Sequence, residues 1–478
     1  MNKKARFIKK TTVILSVFVL FLGLFSCAQT EKGRRAGPPK YVFLFIGDGM
    51  GLSQIHAVEI MQGALKKEDI NIEKLCFTRF PGTGLMTTFS SSSYITDSAA
   101  SGTAIASGHK TINGRINRDK TDRIEFKTIA EMAKEMGMKV GIISNVPLNH
   151  ATPACFYARV SHRQEYYEIA QQMIESGFDF FGGGGIHYPT GRRGLQADIL
   201  ELAGQKGYTV IQSEKEFLAL GEKNKEGRII AVNENLTSDD AMPYVIDMDE
   251  RELSLVDYVD KSIELLDNEK GFFIMVEGGK IDWAAHDHDT ATVVKEIIAF
   301  DKAVLRAVRF YNERPDETLI VVTADHETGG MSLGSDFSGY SQSLEVLNGQ
   351  TLSLEKFTDA YVERYKKGTD KEEWKLDDLM PLIQEKFGLK RLTERDIEEL
   401  DRSFQELRNW IFLQKIVEIV SRKAGISWAT DAHTASPVPV FSIGKAHEQF
   451  IGYYDNTDLF DKMAGAMGIY QLEISGNM

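Results

Sequence analysis

This chain has little cysteine and no basic run beyond its first ten positions. It contains three cysteines among 478 residues, and 56 lysines and arginines against 69 acidic residues. A protein with a net charge of −13 is repelled by phosphate backbones unless a local basic patch attracts them, so we do not expect nucleic-acid binding. Apolar residues at 42% and charged residues at 26% exclude a disordered chain and a multi-span membrane protein.

The N-terminus has the layout of a secretory signal. Five basic residues within positions 1–10 precede an uncharged, mostly apolar run from Thr11 to Ser26. That run, about 16 residues, is shorter than the ~20 that a membrane-spanning helix needs. The segment Leu24 to Cys27 resembles a bacterial lipobox, whose cysteine is acylated and becomes the mature N-terminus. We therefore predict a lipoprotein-type signal peptide over 1–26 and a tether over 27–40.

The same pattern predicts that the protein is exported and anchored by lipid through Cys27 on the periplasmic or cell-surface face. An uncleaved signal anchor is the alternative, and it also places the body outside the cytoplasm. With Cys27 acylated, Cys76 and Cys155 remain, and their spacing leaves a disulfide open. The predicted fold does not need that bridge.

Four short apolar runs in the body predict buried parallel strands, because they are rich in Val, Ile and Phe and are flanked by glycine. Helical patterns lie between them, at 128–136, 255–266 and 291–310. The alternation predicts an α/β fold with a large, mostly parallel central sheet flanked by helices, in one catalytic domain over 41–478. The four runs are Tyr41 to Ile46, Val140 to Ile143, Phe272 to Val276 and Leu319 to Thr323.

The pattern changes between about residues 334 and 424. Charged, amphipathic helices are indicated at 375–387 and 393–407, the second with Thr393 as its N-cap. We predict that this segment is a helix-rich insertion that packs on or beside the core. It contains no cluster of metal-ligating residues, so a scaffold or lid is the expected role.

Chemically reactive residues follow the predicted strands at once. They are Asp48, Glu277, Asp325 and His326. Ligands in open α/β sheets bind outside the carboxyl ends of the strands, so these side chains are expected to meet in one crevice. Each of them taken singly is more typical of a solvated loop, but the repetition after several strands favours a common site.

The segment from Thr96 to Ala104 predicts a closely packed helix that begins at Ser98. The free N–H groups and the dipole at such a start favour an anion, so Ser98 could meet a phosphate there. Serine is a weak nucleophile without a base or a metal. No Gly-x-Ser-x-Gly motif surrounds it, which argues against an esterase triad and leaves activation by a metal.

Mixed carboxylate and imidazole pairs supply candidate ligands. Asp282 and His286 are four residues apart, so on a helix they share one face. Asp325 and His326 offer a second pair. Zinc sites combine imidazole nitrogen with carboxylate oxygen, whereas an isolated pair of this kind is more often a surface ion pair.

Six motifs stand in order between Tyr41 and about Gly444. They are Phe45 to Gly51, Thr96 to Ala100, His150 to Ala154, Val276 to Asp282 with His286, Thr323 to Glu327, and His433-Thr434. The set resembles the alkaline phosphatase family in type and in order. The resemblance implies a hydrolase of phosphate monoesters with two zinc ions and one magnesium ion.

The resemblance also implies three metal sites that share a carboxylate. Sets containing nitrogen suit zinc, and an oxygen-only set suits magnesium. The implied ligands are Asp282, His286 and His433 for one zinc; Asp48, Asp325, His326 and the Ser98 oxygen for the other; and Asp48, Thr152 and Glu277 for magnesium.

Three further positions take their interpretation from the family. Arg163, 13 residues after His150, stands where the resemblance places the arginine that grips phosphate. His150 and Trp283 occupy positions that vary in the family and are expected to border the ligands. His150 leaves open whether the third site takes another divalent metal. The glycine run 182–185 lacks a following Lys-Ser/Thr and is expected to be a structural turn.

The expected reaction is an in-line displacement in which Ser98 attacks phosphorus and is then freed by water. Small phosphate monoesters are the expected substrates. The sequence leaves open whether the protein forms a homodimer. A phosphodiesterase, phosphonate hydrolase or sulfatase of the same superfamily is one alternative. A surface lipoprotein that binds metal without catalysis is another, although the nucleophile and ligands that it would lack are present.

Overall fold

The computed structural model describes residues 37–66, 69–249, 251–368, 375–405 and 410–470. The predicted signal peptide, Cys27 and the tether as far as residue 36 lie outside the described residues. Among the helices described, none is both long and apolar enough to span a bilayer. Lys40 is already joined to the sheet, because its N–H donates to the Glu317 carbonyl at 2.8 Å and its carbonyl accepts from Phe272 at 3.1 Å.

A ten-stranded sheet forms the centre, in the order β12-β2-β11-β8-β1-β7-β3-β4-β6-β5, with β9 and β10 as a separate pair. The strands are β1 (Tyr41–Gly47), β2 (Gly82–Thr87), β3 (Lys139–Ser144), β4 (Phe180–Gly183), β5 (Tyr208–Ile211), β6 (Arg228–Val232), β7 (Phe272–Gly278), β8 (Thr318–Thr323), β9 (Glu327–Thr328), β10 (His433–Thr434), β11 (Val438–Gly444) and β12 (Gly452–Asp455).

Helices flank the sheet. Short 3-10 turns and one π turn, Thr358–Val362, complete the described elements. The α-helices are Leu52–Lys66, Ser98–Ser107, Ile129–Glu135, Ala151–Ala154, Tyr166–Glu175, Ile199–Gln205, Glu214–Leu218, Leu255–Leu266, Lys280–His286, Thr290–Glu313, Leu354–Phe357, Glu363–Gly368, Leu376–Lys386, Glu394–Phe404, Ile411–Ala424 and Asn456–Met467.

The predicted α/β fold is confirmed, and β1 shows why its strands are continuously apolar. All seven residues of β1 are buried, because the strand pairs in parallel with β7 and β8 and both of its faces are covered. Phe43 packs edge-to-face against Phe272 at 5.0 Å and against Phe310 at 5.8 Å, which ties β1, β7 and the helix Thr290–Glu313 together. The core therefore holds fixed the strands whose ends carry the site.

One strand runs against the others. β11 pairs antiparallel with both β2 and β8, whereas every other pairing in the ten-stranded sheet is parallel. The sequence predicted a mostly parallel sheet without locating this exception. β11 follows closely on β10, which carries His433, so the reversal returns the chain to the sheet beside β8.

The segment from residue 344 to 424 contains helices and no strand where it is described. Each long helix buries one apolar face, as with Leu400 and Phe404 or Ile416 and Val420. Thr393 is the N-cap, as predicted, and its side chain accepts from the Asp396 N–H at 3.2 Å. That helix ends at Phe404, three residues earlier than the pattern predicted.

The two cysteines of the body are free thiols. Cys155 is buried and donates to the carbonyl of Ala99 at 3.3 Å. Cys76 donates to the carbonyl of Asp301 at 3.4 Å. The disulfide that the sequence left open does not form.

The glycine run at the end of β4 is a close-packed turn. Gly183 has a φ of +123°, and a Cβ there would lie 1.9 Å from the Ser144 carbonyl oxygen. A Cβ on Gly184 would lie 2.2 Å from the Val146 carbonyl oxygen. The run lets β4 approach the end of β3, which is a structural role.

Replacing Gly183 by alanine should destabilise the protein by at least about 2 kcal/mol, because strain at positive φ adds to a backbone clash. Gly204→Ala is the control, since Gly204 lies in a helix with no atom within 4 Å of its Cβ position. That change should be neutral or stabilise by up to about 1 kcal/mol. Thermal unfolding midpoints measure both, and equal midpoints would contradict the structural role of Gly183.

Candidate metal centre

The site lies at the carboxyl ends of four adjacent strands in the middle of the sheet, β8, β1, β7 and β3. Asp48 follows β1 directly, and Glu277 is the residue before the last of β7. Asp325 and His326 come just after β8. All four are fully buried. The structure thus brings together the four residues that follow the predicted strands.

Asp282, His286 and His433 form the first group of ligand atoms. Asp282 and His286 share a face of the helix Lys280–His286, with Nε2 of His286 3.4 Å from Oδ2 of Asp282. His433 reaches them because β10 pairs with β9 beside the end of β8. Its Nε2 lies 3.7 Å from Oδ1 of Asp282 and 3.1 Å from Nε2 of His286.

Backbone carbonyls fix how these two imidazoles are protonated. Nδ1 of His286 lies 2.5 Å from the Asp431 carbonyl oxygen, and Nδ1 of His433 lies 2.8 Å from that of Thr96. A carbonyl only accepts, so each Nδ1 carries a hydrogen and each Nε2 of the neutral ring presents a lone pair. Lone pairs that face each other at 3.1 Å need a proton or a cation between them.

The second group surrounds Ser98 and consists of Asp48, Asp325 and His326. Nε2 of His326 lies 3.4 Å from Oδ1 of Asp48 and 3.3 Å from Oδ2 of Asp325. The same nitrogen lies 3.3 Å from Oγ of Ser98. Nδ1 of His326 donates to the Thr328 hydroxyl at 3.2 Å, because that hydroxyl gives its own hydrogen to a carboxylate. The Nε2 lone pair therefore faces two carboxylates and the serine.

Ser98 begins a fully buried helix, Ser98–Ser107, as the sequence predicted. Asp97 is its N-cap and accepts from the Ala100 N–H at 3.0 Å. Small side chains let the helix pack closely, since a Cβ on Gly102 would lie 2.8 Å from Sγ of Cys155. The positive end of the helix dipole thus lies at the serine hydroxyl.

The third group contains Asp48 and Glu277 of the set expected for magnesium, together with His150. Asp48, Glu277 and His150 each place a ligand atom within 4.8 Å of the others. Thr152 borders the group, and its hydroxyl donates to Oδ2 of Asp48 at 3.4 Å. His150, for which the sequence left open a place beside the site or a role in binding another divalent metal, stands within reach of a cation. An imidazole among the carboxylates also suits a transition metal.

Burial and mutual repulsion raise the pKa of the site carboxyls. Burial raises the pKa of Asp48 well above its usual range, and Asp325 adds to the shift. Burial also raises the pKa of Glu277 to about 8 and that of Asp325 to about 7. Burial opposes ionisation of Asp282 as well, but its hydrogen bond to His286 holds its pKa below the usual range. Without a cation, these groups compete for protons near neutral pH.

Four buried side-chain atoms of the centre have no hydrogen-bond partner among the described residues. An unpaired buried polar atom costs free energy, and several that converge indicate a missing partner. The three carboxylate oxygens among them are ligands that divalent cations prefer, whereas Nδ1 of His150 carries the hydrogen of the neutral ring, because Nε2 accepts from Arg163. The atoms are Oδ1 of Asp48, Nδ1 of His150, Oε1 of Glu277 and Oδ2 of Asp325.

Arg163, His150 and Trp283 border the centre. Nη1 of Arg163 donates to Asp97 at 3.1 Å, and Nη2 donates to Nε2 of His150 at 3.1 Å. Burial opposes the charge of Arg163, but Asp97 raises its pKa above the usual value. The ring of Trp283 packs edge-to-face with His150 at 5.9 Å.

Several supporting residues were not identified from the sequence. Asp97 stood inside a motif, and an aspartate just before a helix of small residues is a recognisable N-cap signal. Ser144 donates to Glu277, and Thr328 to Asp282. Ser144 directly follows the predicted strand Val140 to Ile143, which places it at the carboxyl end of the sheet, whereas Thr328 and the carbonyls that hold His286 and His433 carry no local signal.

Comparison with known proteins identifies the family of this chain. The alkaline phosphatase family model matches residues 39–469. The chain belongs to the alkaline phosphatase family. Alkaline phosphatase 3 of Bacillus subtilis is 30% identical over 461 residues, which cover 94% of this chain and 93% of that protein. Alkaline phosphatase 4 of the same organism is 29% identical and covers 94% and 95%. The protein is therefore a phosphate-monoester hydrolase.

Solved alkaline phosphatases share the fold. The cold-active enzyme of Shewanella sp. has a TM-score of 0.76 and 30% identity, over 89% of this chain and 99% of that one. The Thermus thermophilus enzyme has a TM-score of 0.76 and 25% identity, over 92% and 94%. A histidine-to-glutamate mutant of the enzyme from the Antarctic bacterium TAB5, with Mg bound in its M3 site, has a TM-score of 0.64 and 28% identity, over 91% and 99%.

Stabilisation by metal should increase as the pH rises from about 6 to 9. A carboxyl whose pKa is higher in the folded chain than its unfolded value of about 4 binds extra protons when folded, so the metal-free fold loses stability as pH rises between the two values. Glu277 and Asp325 act in this way up to about pH 8 and 7. Burial opposes the charge of His286, but its hydrogen bond to Asp282 raises its pKa to about 9. The metal-free fold therefore also loses the stability of this pair as the pH rises towards 9.

Thermal unfolding midpoints with excess zinc and magnesium and with a chelator measure this difference. Buried carboxyls outside the centre, such as Glu296, whose pKa burial raises to about 7, act in both samples and cancel in the difference. Glu277→Gln is the matched variant and should flatten the rise. A difference that stays constant or shrinks towards pH 9 would contradict the prediction.

Proposed function

We propose that this enzyme hydrolyses phosphate monoesters to an alcohol and inorganic phosphate through a phosphoserine intermediate on Ser98, at a centre for two zinc ions and one magnesium ion. The observation that carries the proposal is the position of Ser98. Ser98 is the first residue of a helix, and its Oγ lies 3.3 Å from Nε2 of His326. The buried carboxylates of Asp48 and Asp325 contact the same nitrogen. Without the imidazole and carboxylate ligands around it, Ser98 would have no group to activate its hydroxyl.

The ligand types in the three groups determine which cation we propose for each one. Sets that contain imidazole suit zinc, and the set of carboxylate and hydroxyl oxygens suits magnesium or, through His150, another divalent metal. When bound, the cations supply charge that lowers the pKa of oxygen nucleophiles and neutralises the oxygens of the reacting phosphoryl group. The proposed ligands are Asp282, His286 and His433; Asp48, Asp325, His326 and Ser98; and Asp48, Thr152 and Glu277 with His150 beside them.

Ser98 performs the covalent step. Its Oγ forms a bond to phosphorus while the bond from phosphorus to the ester oxygen breaks and the alcohol leaves. Water then attacks phosphorus, the bond to Oγ breaks, and Ser98 and inorganic phosphate are released. The positive end of the dipole of the helix Ser98–Ser107 stabilises the negative charge of the phosphate in both displacement steps.

Arg163 binds and orients the phosphoryl group. A guanidinium has five N–H donors in a planar fork, and two of these nitrogens already contact Asp97 and His150. These contacts fix the plane of the fork, so the remaining hydrogens can reach two phosphate oxygens. A monoester, which has more charged oxygens than a diester, gains most from that fork and from the cations.

We propose in addition that the enzyme acts outside the cytoplasm and is held to the membrane by a lipid on Cys27. The support is the N-terminal sequence: a basic start, an apolar run and a lipobox-like segment ending at Cys27.

Ser98→Ala should lower kcat by at least about 1,000-fold and abolish the acid-trapped phosphoenzyme, because the nucleophile is lost. Ser107→Ala, at the far end of the same helix, is the control and should keep the activity within a few-fold. Metal analysis should find zinc bound in both variants, which separates loss of chemistry from loss of the centre. Wild-type turnover by Ser98→Ala would refute the assignment.

A further inference from the structure

A pocket of about 250 Å³ opens beside the metal centre and plays no part in the mechanism described above. Two of its lining residues also border the centre: His150 accepts from Arg163 at 3.1 Å, and Trp283 follows Asp282 on the same helix. The pocket therefore starts where the phosphate-binding arginine ends. Its lining residues are Pro147, His150, Tyr166, His187, Asp239 and Trp283.

Aromatic rings form most of the pocket wall. His150 and Trp283 pack edge-to-face at 5.9 Å with an interplanar angle of 78°, and Tyr166 and His187 do the same at 4.7 Å and 80°. Edge-to-face pairs leave ring faces and edges available to a third ring, which prefers offset or perpendicular contact. The volume suits one planar ring system.

A buried asparagine holds the outer ring pair in place. Oδ1 of Asn149 accepts from the His187 N–H at 2.8 Å, and its Nδ2 donates to the carbonyls of His187 at 2.9 Å and Tyr166 at 3.0 Å. Because Asn149 also precedes His150 in the chain, the inner and outer walls are linked through adjacent residues. A wall fixed before binding costs little entropy when a ligand orders against it.

The charges at the pocket indicate an uncharged ring. No lysine or arginine is among its described lining residues, and the exposed Asp239 stands at its rim. A second phosphate or a carboxylate would meet that aspartate without a cation to pair with. Nδ1 of His187 contacts Oδ2 of Asp240 at 2.9 Å, which fixes the orientation of the imidazole.

We propose that this pocket is a leaving-group subsite that binds the planar ring of an aromatic phosphate ester, either an aryl ring or a nucleobase. The proposal rests on the proposed function, since it requires the phosphate to lie between Ser98 and Arg163. It adds a preference for ring-bearing esters over aliphatic ones, carried by Tyr166 and His187.

The test compares kcat/KM for two pairs of substrates: phenyl phosphate against glycerol 1-phosphate, and adenosine 5′-monophosphate against ribose 5-phosphate. Tyr166→Ala and His187→Ala should each lose about tenfold more on the ring-bearing ester than on its partner, as expected for one ring stack. Tyr166→Phe keeps the ring and should keep the preference. Tyr340→Ala removes a fully exposed tyrosine elsewhere and is the matched control.

Inhibition constants of phenylphosphonate and methylphosphonate give the same comparison without turnover. A loss confined to one substrate pair identifies the ring that the subsite accepts, and a loss in both supports a general aromatic subsite. Unchanged ratios in Tyr166→Ala and His187→Ala, or no ring preference in the wild-type enzyme, would overturn the subsite. The proposed function fails separately, if Ser98→Ala still cleaves these esters.

Discussion

Buried negative charge that the protein does not neutralise itself is the constraint on which this site depends. Asp48, Glu277, Asp282 and Asp325 lie in one crevice with almost no exposure to solvent. Arg163 borders the crevice, and its charge is already paired with Asp97. An unpaired buried charge costs several kcal/mol, so such a crevice is stable only when protons or metal ions fill it. Bound cations neutralise the buried carboxylates, which stabilises the fold, and they also supply the positive charge that phosphoryl transfer needs.

The sheet order explains how residues far apart in sequence meet. β1 lies between β7 and β8, so the residues that follow these strands converge from three separate parts of the chain. The surroundings then fix the orientation of each ligand: Nδ1 of His286 and of His433 contacts a carbonyl, and that of His326 contacts a hydroxyl. The Nε2 atoms of these three histidines therefore face the crevice. The core positions the ligands, and their hydrogen-bond partners determine which atom each one presents.

Much of this was accessible from the sequence because it is local. Continuous apolar runs gave the strands around β1, the spacing of Asp282 and His286 gave a shared helix face, and small residues after Ser98 gave the helix start. The reversed strand β11 was not located, because a two-residue strand and a short apolar run do not specify direction. The place of His150 beside the magnesium set was implied by the resemblance, but its contacts with Arg163 and Trp283 were not located, since they depend on tertiary packing. The ligand atoms of the histidines depend on backbone carbonyls, which no side-chain pattern reveals.

Anomalous X-ray diffraction from crystals of the protein purified with zinc and magnesium tests the central claim most directly. Data collected on either side of the zinc absorption edge locate zinc independently of any assumed ligands. We predict two zinc peaks, one within about 2.0–2.3 Å of the ligand atoms of Asp282, His286 and His433 and one equally close to those of Asp48, Asp325 and His326. Absence of peaks at these groups, with zinc bound elsewhere on the molecule, would contradict the account.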